Sequence, residues 1–156
     1  MKSSEYEAIK AVCDKWYPAK KAEHCASVES IVMQDPMFLA LSEEHRYFVR
    51  ALAYAHDLFE DTACPPEELI VCIDIDGEFE RVDFLRDLTL LTHDKDADSY
   101  YDYVREIVNS RRCFAVMVKR ADMIDHLQRK ATLTDKLKKK YAPVIPMLFY
   151  PREVLR

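Results

Sequence analysis

Glycine is nearly missing from this chain: Gly77 is the only one among 156 residues. Sheet proteins rely on glycine in hairpin turns and bulges, so its scarcity argues for helices joined by plain loops. Apolar residues never run to about twenty in succession, the length a membrane-crossing helix needs. No apolar signal core lies within the N-terminal MKSSEYEAIK, and a cytoplasmic protein is expected. Basic residues are not in excess. Lys and Arg number 23 against 28 Asp and Glu, a formal net charge of −5, which gives no broad electrostatic footprint for a nucleic-acid partner. The five cysteines (Cys13, Cys25, Cys64, Cys72 and Cys113) are odd in number and show no CxxC spacing. They read as reduced, mostly small core residues rather than zinc thiolates.

Helical periodicity is abundant. Residues 4–15 carry apolar positions at Tyr6, Ile9, Val12 and Cys13, and residues 19–33 carry them at Ala22, Ala26, Val28, Ile31 and Val32. Ser42 reads as an N-cap, with Glu43 and Glu44 suiting the positive end of the helix that follows, expected to run to about Asp61. Pro66 suits the first turn of a short helix. VCIDIDGEF reads as a loop, and 79–92, 98–110, 112–130 and 132–149 as further helices. Asp74, Asp76 and Gly77 fall short of a calcium loop, because its first position would be Cys72 and its twelfth Asp83 rather than glutamate. No repeat or linker divides the chain. The expectation is one domain over 1–156, an all-α helical bundle.

The stretch LAYAHDLFEDT is the anomaly. His56, Asp57, Glu60 and Asp61 fall within six residues, directly after the apolar run FVRALAYA. On one helix Ala53, His56, Asp57 and Glu60 share a face, while Leu52, Ala55 and Phe59 take the other. Buried charge needs a countercharge or water. A divalent cation in a wet pocket supplies both; a helix end exposing its acids to solvent is the simpler alternative. His24 in KKAEHCASVESIV and Asp122 in FAVMVKRADMIDHL extend the set. Taken singly, His24 reads as a satisfied core histidine and Asp122 as a salt bridge or cap. Taken together, two imidazoles and two carboxylates make a mixed nitrogen and oxygen donor set that suits Mn²⁺, Fe²⁺, Co²⁺ or Zn²⁺. A helical bundle brings such side chains to one interior point.

The pattern H … HD … D resembles the HD-domain superfamily of metal-dependent phosphohydrolases, and within it the RelA/SpoT-type guanosine tetraphosphate (ppGpp) hydrolases. HDLFEDT is similar to their HDxxEDT motif and VKRADMIDHL to their VKLADRLHNM helix; the likeness spans roughly residues 6–150. It implies an HD-domain helical bundle that binds one divalent transition metal, Mn²⁺ foremost. By the same resemblance, His24, His56, Asp57 and Asp122 are the metal ligands, and Glu60 and Asp61 the acidic pair that positions and activates the attacking water.

The likeness breaks at the nucleotide pocket. The family's Arg-Lys pair and glycine before the first histidine are missing from CDKWYPAKKAEHCAS, where Lys15 and Trp16 stand in place of the pair. The family's late asparagine is His126. Lys20 and Lys21, one turn before His24, and His126, one turn after Asp122, are the candidate substrate-binding residues. The expected activity is hydrolysis of a phosphate or pyrophosphate ester of a small nucleotide, guanosine tetraphosphate foremost. Two alternatives stand: an HD nucleotidase for another nucleotide or small phosphate, and a non-catalytic HD module that binds a ligand. His45 and His93 read as surface residues outside the pattern, and the sequence leaves the oligomeric state open.

Overall fold

The chain folds in a computed structural model that describes residues 1–150, apart from the side chain of Phe79. The last six residues of the expected domain lie outside the described residues. No strand occurs among those residues, and the fold is an all-α bundle, as the glycine scarcity predicts.

α1 (Ser3–Trp16), α2 (Ala19–Val32) and the short α3 (Pro36–Leu39) lead into α4 (Glu43–Ala55), which packs against both α1 and α2. Ser42 caps α4, its Oγ accepting from the His45 N–H at 3.3 Å. From Phe48 to Ala55 only Arg50 escapes burial, and the alanines at 51, 53 and 55 let neighbouring helices approach closely. Leu52 is fully buried, a contribution of about 1.5–3 kcal/mol.

After α4 come α5 (Leu58–Asp61), α6 (Pro66–Ile70), a 3-10 turn (Ile75–Gly77) and α7 (Glu78–Leu91). The chain continues through α8 (Tyr100–Asn109) and α9 (Cys113–Gln128) to α10 (Asp135–Tyr141) and α11 (Ile145–Phe149). The α9 helix lies along α2 and buries Ala115, Met117, Val118, Ala121 and Met123. The apolar run at its start therefore faces the core, as its sequence demands.

Four expectations need correction. The helix expected from Ser42 to Asp61 is interrupted at His56 and Asp57, with Asp57 at φ −96° and ψ 0°. This bridge-region backbone is common at functional residues. The helix expected over 132–149 divides around residues 142–144, where Pro146 favours a fresh first turn. A short α3 forms where none was expected, its start capped by the Asp35 carboxylate accepting from Met37 N–H at 2.8 Å. The loop VCIDIDGEF holds a 3-10 turn at its centre. Among the cysteines, Cys13, Cys25 and Cys64 are buried, Cys72 is half-buried and Cys113 is exposed; all are free thiols.

Candidate metal centre

Three elements deliver the expected ligands to one buried point. His24 comes from the middle of α2, Asp122 from α9, and His56 and Asp57 from the break between α4 and α5. At this break both the His56 imidazole and the Asp57 carboxylate turn toward the same interior. His24 Nε2 lies 3.3 Å from Asp122 Oδ1 and 3.6 Å from Asp57 Oδ2. His56 Nε2 lies 3.3 Å from Asp57 Oδ1 and 3.6 Å from Asp122 Oδ1.

The outer nitrogens of the two rings are both anchored. His24 Nδ1 meets Asp125 Oδ2 at 2.6 Å, and His56 Nδ1 meets the Ala53 carbonyl at 2.7 Å. An acceptor at each Nδ1 holds the proton there and leaves the Nε2 lone pair aimed at the centre, the arrangement metal-binding histidines use. Asp125 is itself held by Ser27 Oγ and Arg129 Nε, both at 2.5 Å. Asp122 Oδ2 accepts from Lys119 Nζ at 2.7 Å, which orients Oδ1 inward.

Three of the inward atoms, His24 Nε2, His56 Nε2 and Asp122 Oδ1, are buried without any hydrogen-bond partner among the described residues. An orphaned buried polar atom costs about 1–3 kcal/mol, and three facing one another call for a shared partner. Each of these residues offers an atom within 4.8 Å of the others. Donors about 2.1 Å from one ion and 90–110° apart are about 3.0–3.4 Å from each other, close to the spacings here. The His24, His56 and Asp122 donors thus fit a divalent cation by geometry, by burial and by chemistry, with Asp57 beside them.

The electrostatics agree. Burial disfavours charge at His56, but the Asp57 and Asp122 carboxylates outweigh it and hold its pKa well above the ordinary imidazole value. Burial would raise Asp57, yet His56 and Lys21 bring it below the usual carboxylate range. Asp122 goes further down, with Lys119 and the surrounding imidazoles overcoming its complete burial. The pocket wants positive charge.

The remaining expected residues fall at its edge. Glu60 is mostly buried; Oε1 pairs with Lys95 Nζ at 2.8 Å and Oε2 accepts from His93 N–H at 3.4 Å. Asp61 is exposed and shares Lys21 with Asp57: Lys21 Nζ is 2.6 Å from an oxygen of each. Lys21 is therefore engaged by two acids rather than free, whereas Lys20 is exposed. His126 Nε2 stands 3.0 Å from Asp122 Oδ1. His45 is exposed as expected. His93 is half-buried and stacks on Tyr103 with ring centroids 4.6 Å apart, contrary to its reading as a surface residue.

Several participants escaped the sequence reading. Asp125 and Arg129 follow Asp122 by three and seven residues on its own helix, a spacing that was available. Lys119 sits three residues ahead. Lys95, in contrast, reaches Glu60 from the loop before α8 and carries no periodic signal. Cys25, expected only as core, offers its Sγ within 4.8 Å of His56 and Asp57 donor atoms.

No known protein family, curated protein or solved structure matches the chain.

Proposed function

We propose that this chain is an HD-type metal-dependent phosphohydrolase that cleaves a phosphate or pyrophosphate ester of a nucleotide, with guanosine tetraphosphate as the foremost candidate substrate. The observation that carries the reading is the set of orphaned atoms, His24 Nε2, His56 Nε2 and Asp122 Oδ1, buried beside Asp57.

His24, His56, Asp57 and Asp122 would hold one divalent ion. Such an ion, when bound, lowers the pKa of a coordinated water and polarises a phosphoryl oxygen. Two aspartates supply two negative charges, so the loaded centre is neutral and costs less to bury than either partner alone. Asp125 and the Ala53 carbonyl keep the imidazoles in the tautomer that presents Nε2. Glu60, fixed by Lys95 and the His93 N–H, takes up a proton from the attacking water at a carboxylate oxygen. Asp61 holds Lys21 beside Asp57, placing one cation where a substrate phosphate would approach. Lys20, exposed and with no ion pair among the described residues, is the second cation on that side.

The test is a screen of nucleotides with the purified protein supplied with Mn²⁺, reading phosphate against pyrophosphate released. Release of pyrophosphate from guanosine tetraphosphate supports the reading in full. Turnover of another nucleotide alone supports a nucleotidase of the same chemistry. Metal uptake with no nucleotide turned over overturns the hydrolase and leaves a ligand-binding module.

A further inference from the structure

Asp57 stands apart from the tightest group of inward donors. Atoms of His24, His56 and Asp122 lie within 4.8 Å of one another, and a second group of the same compactness joins Asp57 to Cys25 and His56. His56 is common to both. The centre therefore holds two overlapping triads: His24 and Asp122 complete one, Cys25 and Asp57 the other.

We propose that Cys25, His56 and Asp57 form a second ion position, taken by a soft divalent ion such as Zn²⁺ or Cd²⁺ in preference to Mn²⁺. The inference rests on the metal centre proposed above, because the two positions share His56. Its first support is an orphaned nitrogen. His56 is 2% exposed, and its Nδ1 meets the Ala53 carbonyl. Its Nε2 has no hydrogen-bond partner among the described residues and stands 3.3 Å from Asp57 Oδ1, a member of the second triad. The second support is spacing. An imidazole nitrogen about 2.1 Å and a thiolate sulfur about 2.3 Å from one zinc ion are about 3.6 Å apart at a tetrahedral angle. That separation falls inside the 4.8 Å span of the triad. The third is the chemistry of the donors. Cys25 directly follows His24 on α2 and is fully buried. Thiolate, imidazole and carboxylate are all zinc ligands, and the thiolate is the soft member that selects against Mn²⁺.

Binding sends the Cys25 proton to solvent and forms a sulfur–metal bond. The thiolate and the Asp57 carboxylate then supply two negative charges against the ion's two positive ones, which lowers the cost of burying them. One imidazole nitrogen holds one ion, so the two positions exclude each other. A hard ion such as Mn²⁺ closes on His24, His56 and Asp122. A soft ion moves toward Cys25 and leaves His24 and Asp122 open. Zinc or cadmium thus competes with manganese for His56.

Cadmium reads this position directly, because a cadmium–thiolate bond adds a sulfur-to-metal charge-transfer absorption in the ultraviolet. The purified protein is titrated with Cd²⁺ and, separately, with Mn²⁺, alongside Cys25→Ser and Cys113→Ser. The second variant removes an exposed thiol open to adventitious cadmium. Unchanged helical circular dichroism confirms that each variant folds, and Cys25→Ala serves where serine does not. The expected result is one Cd²⁺ per chain with a charge-transfer band that Cys113→Ser keeps and Cys25→Ser loses. Cd²⁺ affinity should fall about 10-fold or more in Cys25→Ser, with a much smaller change for Mn²⁺. A band that survives in Cys25→Ser, Cd²⁺ bound without any band, or Mn²⁺ bound with no Cd²⁺ uptake would each overturn the second position and leave the first standing. Equal loss of both ions in Cys25→Ser overturns it too, making Cys25 a support of a single site. Absence of binding by either ion is a different failure, that of the metal centre itself, and the second position falls with it.

Discussion

At the residue scale, Asp57 and Glu60 are three positions apart yet answer to different demands. Asp57 faces both inward imidazoles and is drawn below the usual carboxylate range by His56 and Lys21. Under the proposed chemistry, Asp57→Ala removes a central anionic ligand, and elemental analysis should find the purified variant without metal. Glu60 faces Lys95 and the His93 N–H instead. Glu60→Gln should retain the metal and lose turnover by about 10²–10⁴-fold, the contribution of a general base. Loss of metal together with activity would instead make Glu60 a ligand. The four central residues were legible in the sequence because each is a donor type set against an apolar background: His56 and Asp57 after FVRALAYA, Asp122 after FAVMV. Their supports were less so. Whether Asp125 serves His24 depends on a contact across 101 positions of chain, which no local pattern encodes. The contacts of Lys21 with Asp57 and Asp61 and of His126 with Asp122 were not legible either, because spacing gives a face of a helix but not what that face meets.

At the scale of elements, the centre depends on a helix that stops being one. Periodicity is continuous from Glu43 to Asp61, and a sequence reading has no reason to break it: neither proline nor glycine intervenes. The interruption at His56 and Asp57 is a tertiary effect, in which the His56 ring turns back to the Ala53 carbonyl and Asp57 faces Lys21 from α2. The division of 132–149 was the more legible error, since Pro143 and Pro146 both lie inside the expected helix. One junction bears the cost of the missing glycines. Between α8 and α9, Arg111 adopts φ 60°, the left-handed region where helices usually end on glycine. Left-handed backbone costs a residue with a Cβ about 1–2 kcal/mol, part of which glycine's greater freedom in the unfolded chain cancels. Arg111→Gly should therefore stabilise the protein by about 0.5–1 kcal/mol, measurable as a higher urea midpoint at unchanged slope. Arg111 is exposed and is none of the proposed ligands, so metal affinity should not change.

At the scale of the whole molecule, the helices α2, α4 and α9 are joined by one cluster of titratable groups, so under the proposed reading metal, proton and stability are linked. Without metal, His56 and the two aspartates stabilise one another. The His56 pKa is raised in the fold, so its contribution is complete below the unfolded value of 6.5 and fades as pH rises through the higher folded value. Asp57 and Asp122 have lowered pKa values, so theirs is present above the unfolded value of 3.8 and is lost only as pH falls below it. The metal-free protein thus loses support at this point as pH rises from neutrality. A bound ion reverses that dependence, because it requires His56 neutral and must displace a proton to bind. Metal binding to the folded state at about 100 times the dissociation constant adds about 2.7 kcal/mol, or roughly 5–10 °C in melting temperature for a chain of this size. The difference in melting temperature between Mn²⁺-loaded and metal-free protein should accordingly widen as pH is raised from about 6 to 8.5 at fixed free metal. His56→Ala, which removes the proton that metal must displace along with a ligand, should bind weakly and flatten that dependence. A difference that stayed constant across the range, or narrowed, would show that no strongly held proton stands between the free and loaded forms.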